Sequence, residues 1–219
     1  MLKLQLETYN FGFDTVDANC PADREAIALD YTAADGRRLC INRDYFRHHS
    51  DLKAEFLRFK GVKPGDFAVV CGLEESFELY LLQTALSKIE AVMVIVTPDT
   101  LLNAVGAYRP TLAVVQAQSR AVELIDSLAE NRPKLCVTVG MPTPKQWRDL
   151  HQGSWRVHEF EVPEFGRRTA DDVVVVECLT DKEVRYTRRD LAAMTGTSGW
   201  KGFVASQLAG KTFVVNSRR

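Results

Sequence analysis

Residues 67–96 read FAVVCGLEESFELYLLQTALSKIEAVMVIV, and this stretch decides the fold. Its two ends, residues 67–71 and 91–96, are apolar runs of strand length, which is typical of strands covered on both faces. Between them, residues 74–89 repeat apolar side chains at helical spacing. A strand, a helix and a second strand in this order predict a parallel pair joined by a right-handed crossover.

The same alternation continues toward the C-terminus. Further buried strands are predicted at residues 111–115, 135–139 and 172–178. Amphipathic helices are predicted between and after them, at residues 100–108, 119–130 and 190–194. Apolar strands that alternate with such helices indicate a parallel sheet with helices on its faces.

The N-terminal part has a different pattern. Two strand-like segments, residues 27–32 and 38–41, flank an Asp35-Gly36 pair, which is a strong hairpin signal. A helix that Asn42 or Asp44 can cap follows directly. The sequence therefore predicts an α/β fold: a parallel sheet flanked by helices, with a small N-terminal β-hairpin and helix. We expect residues 1–66 to form the lead-in arm, hairpin and helix, and residues 67–219 the α/β subdomain, within one compact domain.

Two later segments are less regular. Residues 141–165 contain three prolines and predict a loop with a short helix near residues 146–151. Residues 195–202 read TGTSGWKG, which suits either a phosphate-binding nest or a flexible linker. A phosphate loop should leave a buried strand, whereas this segment follows a predicted helix, so the linker is favoured. A last strand is predicted at residues 213–215.

Composition excludes several classes of function. The 219 residues include 28 Lys and Arg against 29 Asp and Glu, so the net charge of -1 gives no positive field for nucleic acid. The five cysteines are scattered without C-x-x-C spacing, and the four histidines lack acidic partners at ligand spacing, so no metal site is expected. The longest apolar stretch, residues 91–98, is far short of the ~20 residues that cross a bilayer. Because no signal-peptide core is visible either, we predict a cytoplasmic protein without a membrane or nucleic-acid partner.

Short motifs in a fixed order connect the chain to a known family. Residues 10–17 read NFGFDTVD, residues 61–70 read GVKPGDFAVV, and residues 86–98 read LSKIEAVMVIVTP. They resemble the segments NFAYDVVD, GVKKGDRVAV and LKLGAVYVPATP of the AMP-forming acyl-CoA synthetases in the adenylating superfamily. Glu90 stands where that family usually has glycine. Residues 168–173, RTADDV, and 182–194, KEVRYTRRDLAAM, are similar to the family's TSADDPA and PKMVRHTHRSLAA.

The resemblance breaks at one place that matters for chemistry. In the family, the strand after the ADD motif runs into a loop rich in Ser, Thr and Gly that ends in Pro-Lys and holds the phosphates of ATP. Here that loop is cut out, and Thr180 and Lys182 would be its surviving edges. No glycine remains between them, although backbone amides need glycine's freedom to wrap a phosphate closely. The resemblance thus implies a vestigial phosphate loop, no catalytic residue and no metal ligand, with ATP, magnesium and CoA as cofactors of the intact family only.

Three functions are compatible with these observations. The first is a degenerate, stand-alone N-terminal subdomain of the AMP-dependent synthetase/ligase type, without adenylation activity by itself. Such a chain would act as a binding or assembly module for a second copy, a larger synthetase-like protein, or an acyl or CoA-like ligand. The alternative is one component of a split acyl-CoA synthetase, an acid–thiol ligase that is active only with a separately encoded remainder. The third is an unrelated small α/β enzyme whose site the sequence does not reveal.

Overall fold

The computed structural model describes residues 6–33, 35–73, 76–155, 160, 162, 168–180 and 182–216. In chain order its strands are β1 (Ile27–Thr32), β2 (Arg38–Asn42), β3 (Phe67–Cys71), β4 (Val92–Val96), β5 (Leu112–Gln116), β6 (Leu135–Val139), β7 (Arg148–Asp149), β8 (Val173–Cys178), β9 (Val184–Thr187) and β10 (Phe213–Asn216). Its α-helices are α1 (Arg43–Phe59), α2 (Phe77–Lys88), α3 (Leu101–Tyr108), α4 (Arg120–Asp126), α5 (Leu150–Ser154), α6 (Arg188–Ala192) and α7 (Gly199–Leu208). A π-helical segment, Phe11–Asp17, and a 3₁₀ turn, Ala129–Asn131, complete the set.

Seven strands form the main sheet, in the spatial order β7-β6-β5-β3-β4-β8-β9. Every neighbouring pair is parallel except β8 with β9, which is antiparallel. The α/β prediction with a mainly parallel sheet is therefore confirmed. β3 lies at the centre of the sheet, paired with β4 and β5, so β3 and β4 form the middle of the core.

Helices cover both faces of this sheet, as the apolar strands require. Along β3, Ala68 and Val70 belong to one buried cluster, whereas Val69 and Cys71 belong to the other. The first cluster contains α1, α2 and α7, and the second contains α3 and α4. Each strand residue is therefore buried whichever way it points, which explains the continuous apolar runs.

A second, three-stranded sheet has the order β10-β1-β2. The predicted hairpin forms β1 and β2, and the side chain of Asn42 caps α1 by accepting a hydrogen bond from Tyr45 N at 2.8 Å. The predicted last strand is confirmed as β10, and it pairs in parallel with β1 rather than joining the main sheet. The division of the chain at residue 66 stays a prediction.

Three elements differ from the predictions. The short helix predicted near residues 146–151 begins only at Leu150, as α5, because Arg148 and Asp149 form β7. Strand β9 was not predicted, because four residues that alternate polar and apolar give too short a signal. The favoured flexible linker at residues 195–202 is wrong from Gly199 onward, where α7 begins. Phe203 of α7 is fully buried and packs on the rings of Phe46 and Tyr80, with centroid distances of 5.3 and 5.0 Å.

Gly202 in α7 is closely packed against other parts of the chain. A Cβ atom at this position would lie 2.6 Å from the carbonyl carbon of Thr197 and 2.9 Å from the ring of Phe213. We expect Gly202→Ala to lower the free energy of unfolding by about 1–3 kcal/mol, because the added methyl overpacks this contact. Chemical denaturation measures the loss, and a variant as stable as the parent would contradict it.

The matched control for that substitution is Gly106 in α3. A Cβ atom there meets no other atom within 4 Å. Gly106→Ala is expected to raise the free energy of unfolding by up to ~1 kcal/mol, because alanine loses less conformational entropy than glycine in a helix.

Ion pairs of the buried Lys88 side chain hold the N-terminal segment against α1 and α2. Lys88, the last residue of α2, is completely buried, and its Nζ lies 2.7 Å from an Asp17 oxygen and 2.5 Å from an Asp51 oxygen. It also donates to Ser50 Oγ at 2.9 Å. The π-helical segment and α1 are thereby tied to the end of α2.

Glu90 forms a second buried ionic cluster. Its backbone is left-handed, with φ 58°, which explains why glycine suits this position in the family that the sequence resembles. Its carboxylate is 2.8 Å from Arg168 Nε and 3.0 Å from an Arg188 nitrogen. Arg188 in turn donates to the carbonyl of Tyr9 at 2.9 Å. Arg168 donates to the carbonyl of Thr8 at 3.2 Å, so the glutamate offsets its backbone strain by holding two arginines that both bind the N-terminal segment.

Candidate functional site

The carboxyl ends of β4 and β8 meet at a polar junction. Thr100, just before α3, donates its hydroxyl to the carbonyl of Cys178 at the end of β8. The hydroxyl oxygen of Thr100 also accepts a hydrogen bond from Thr97 N at 3.1 Å. In open α/β sheets, ligands bind at this edge, so the junction is where a site is expected.

The connection from β8 to β9 spans five residues, 179–183, and carries both predicted site residues. Thr180 and Lys182 lie exposed at its tip, and Thr180 Oγ1 accepts a hydrogen bond from Lys182 N at 3.2 Å. Asp181 lies outside the described residues. The backbone amide of Lys182 therefore donates its hydrogen bond within the turn, whereas a phosphate loop would present such an amide to its ligand. The structure brings Thr180 and Lys182 together, but their role as vestigial edges of a phosphate loop stays a prediction.

A cavity of about 220 Å³ lies beside this turn. Asn103 and Tyr108 of α3 line it together with Cys178 and Glu183, and none of its lining residues is cationic. Burial raises the pKa of Tyr108 to about 12, and burial also raises the pKa of the Cys178 thiol. A neutral phenol, a neutral thiol and a carboxylate give this cavity no positive potential, so it does not suit a polyphosphate.

Glu183 contributes a negative charge at the same place. The nearby Tyr108 hydroxyl and the Arg185 guanidinium hold the pKa of its carboxyl below the usual range, so it is ionised at neutral pH. Glu183 is ion-paired with Arg185, so it offsets part of the positive charge beside the turn. The electrostatics of the turn thus agree with its geometry in disfavouring a triphosphate.

A polar cluster on the other face of β8 was missed from the sequence. Glu177 accepts hydrogen bonds from Trp200 Nε1 at 2.6 Å, from the Tyr186 hydroxyl at 2.8 Å and from Lys201 Nζ at 2.9 Å. Burial favours the neutral acid, but these donors outweigh it and hold the pKa of Glu177 below its usual range. The available signal was one glutamate in the apolar run VVVVEC. With all its groups paired to one another, the cluster fixes α7 against the sheet.

Within the part of the chain that the structure describes, no three His, Cys, Asp or Glu side chains come together as they would around a metal ion. The described helices likewise include none with the length and hydropathy that a bilayer crossing needs.

His49 on α1 titrates far from its ordinary range. Burial lowers its pKa to about 4, and the positive charges of Lys53, His48 and His151 act in the same direction. The unfolded chain therefore binds a proton at His49 between pH 6.5 and 4 that the folded chain does not, so stability falls as the pH drops through this window. At pH 5 this half-buried group should cost about 1 kcal/mol of unfolding free energy relative to pH 7, after a discount for solvent screening.

Denaturation of the parent and of His49→Gln at pH 7 and pH 5 tests that expectation. The variant should lose less stability than the parent on acidification, because glutamine does not titrate. Equal losses in the two proteins would contradict the lowered pKa.

Comparison with known proteins agrees with the fold. By sequence, no protein-family model and no curated protein matches the chain. By structure, it is similar to a putative long-chain-fatty-acid CoA ligase from Rhodopseudomonas palustris, with a TM-score of 0.75 at 18% identity over 96% of this chain and 58% of that one. A luciferase-like enzyme from the nonluminescent mealworm Zophobas morio gives a TM-score of 0.78 at 14% identity, covering 98% of this chain and 56% of that one.

An acyl-CoA synthetase from Brucella canis is similar as well, with a TM-score of 0.74 at 16% identity over 96% of this chain and 43% of its own. The chain therefore has the fold found in AMP-forming acyl-CoA ligases and luciferase-like enzymes, as the sequence resemblance implied. It spans about half the length of these solved structures.

Proposed function

We propose that this chain is a non-catalytic binding or assembly module built on the fold of the AMP-dependent synthetases and ligases. The observation that carries the proposal is the short turn between β8 and β9, which closes on itself through Thr180 and Lys182. Adenylation requires several positioned donors around a developing pentavalent phosphate. A five-residue turn without glycine, with Glu183 at its end, supplies too few of them.

Exposed apolar side chains support a binding role for the same edge of the sheet. Met141 follows the carboxyl end of β6, and Leu179 and Val184 flank the β8–β9 turn. Their exposed fractions are 58%, 40% and 44%. Leu179 and Val184 lie at the two ends of one turn, whereas Met141 lies four strands away at the end of β6, so the apolar contact would centre on the β8–β9 turn. We propose that this edge contacts a second copy, a larger synthetase-like protein, or an acyl or CoA-like ligand.

Titration of the purified chain with MgATP and with dodecanoyl-CoA tests the module directly, alongside ATP–pyrophosphate exchange and measurement of its oligomeric state. We expect no exchange and no saturable ATP binding, together with either acyl-CoA binding or self-association. The double variant Leu179→Asp, Val184→Asp should weaken whichever contact is found. Val214→Asp, on the exposed face of β10, is the matched control and should not. Exchange at an ordinary enzymatic rate would sink the proposal.

The alternative, a component of a split acyl-CoA synthetase, is favoured by one observation: the chain spans only about half of the ligases that share its fold. Under this alternative, a separately encoded synthetase-like chain should co-purify, and exchange activity should appear only in the complex. Activity confined to such a complex would replace the first proposal with the second.

A further inference from the structure

Gln83 on α2 is a buried amide that has no hydrogen-bond partner among the described residues. Its side chain lies in the core, with only 3% of the residue exposed. Among the described residues, neither its Oε1 nor its Nε2 has a hydrogen-bond partner. Because a buried polar group is costly when unpaired, an amide with both ends in this state points to a partner that is not a protein atom.

A small cavity lies beside this amide. Its volume is about 20 Å³, and Gln83 lines it together with Ser87, Glu90 and Arg188. Arg188 Nε is likewise buried without a hydrogen bond among the described residues, and it lies 3.6 Å from a carboxylate oxygen of Asp172. Most of the remaining wall is apolar, with Phe11 and Met93 among its residues. The cavity therefore combines unpaired polar groups with room for a very small molecule.

We propose that this cavity binds one water molecule, which hydrogen-bonds the amide of Gln83 and joins it to the Glu90–Arg188 ionic cluster. A cavity holds a water when it offers roughly 10–15 Å³ or more and two to four polar partners. Both conditions are met, and the small volume excludes an organic ligand. Arg188 donates a hydrogen bond to the carbonyl of Tyr9. The water extends this polar network from Arg188 to Gln83 in the middle of α2. The site is independent of the β8–β9 turn and of the function proposed for it.

Nuclear Overhauser contacts between water and side-chain amides in the isotope-labelled full chain test the site. The Gln83 amide protons should show a cross-peak to a long-lived water. Gln207 is the internal control: it is equally buried, but its Nε2 donates to the carbonyl of Ala28 at 3.2 Å, so no such cross-peak is expected. A Gln83 amide without a water contact would overturn the proposal.

Gln83→Met gives a second, independent readout, because methionine has a similar length and no polar atom to satisfy. If the water is bound, the variant loses its hydrogen bonds, and the equilibrium constant for unfolding should rise about fivefold. If the amide is dry, removing an unpaired polar group stabilises the fold, and the constant should fall. A fall would contradict the bound water.

Discussion

Replacing Arg188 by methionine is expected to lower the free energy of unfolding by about 2–3 kcal/mol, because the buried carboxylate of Glu90 loses one of its two arginine partners and keeps only Arg168. Glu90 is only 6% exposed at its side chain, and Arg188 lies 3.0 Å from its carboxylate. The carbonyl of Tyr9 would also lose its donor. Hydrogen exchange should show that amides of the N-terminal segment open first, because that segment loses one of its anchors.

Arg189→Met is the matched control. This neighbouring arginine pairs with Asp171 in solvent, with exposed side-chain fractions of 58% and 76%. Its loss should change stability by no more than ~1 kcal/mol. Equal effects of the two substitutions would contradict the ionic cluster.

A second substitution, Glu90→Gly, sharpens the test. Made in the Arg188→Met variant, it relieves the left-handed strain and takes the carboxylate from one arginine only, Arg168. It should therefore cost less stability in that variant than in the parent. In the parent, the same change should be harmful, because Arg168 and Arg188 would then lose their shared carboxylate. An additive result in the double variant would argue against direct coupling.

Replacing Lys88 by methionine is expected to cost about 3–5 kcal/mol, because two carboxylates would face each other without their buried cation. Burial already raises the pKa of Asp17 to about 6, even though Lys88 opposes that shift. Without Lys88 the pKa should rise further, so Asp17 would take up a proton near neutral pH. The cost should then be smaller at pH 5 than at pH 8, because protonation removes one of the unpaired charges.

Denaturation of Lys88→Met at both pH values measures the effect. Lys145→Met, at an exposed position in the loop after β6, is the control and should change stability by no more than ~0.5 kcal/mol at either pH. A cost that does not depend on pH would contradict the account of Asp17.

The sequence predicts the sheet well because its evidence is local. The strands around residues 67–96 follow from continuous apolar runs, and the cap at Asn42 follows from residue type and position. The resemblance also identifies position 90 as one where glycine is usual, and its left-handed backbone supplies the physical reason.

The ionic clusters could not be predicted, because their members are far apart in the chain. Nothing near Glu90 in the sequence indicates that it meets Arg168 and Arg188, and nothing near Lys88 indicates Asp17. The helix α7 was hidden for a related reason. Its glycines suggest a linker, whereas Gly202 is needed for close packing against the distant Phe213 and Gly199 for its left-handed backbone.

The candidate site was predictable in part. The loss of glycine between Thr180 and Lys182 is visible in the sequence, but the hydrogen bond that closes the turn and the charge of Glu183 beside it need the folded geometry. These features support the proposed module, which has the fold found in AMP-forming ligases and in which this turn would not bind a nucleotide.

Titration of the labelled chain with MgATP, followed at the backbone amides of Thr180, Lys182 and Glu183, tests this central claim most directly. We predict that the chemical shifts of these amides do not change at millimolar nucleotide, because the Lys182 amide already donates to Thr180 within the turn. Saturable shifts at these three amides would contradict the account.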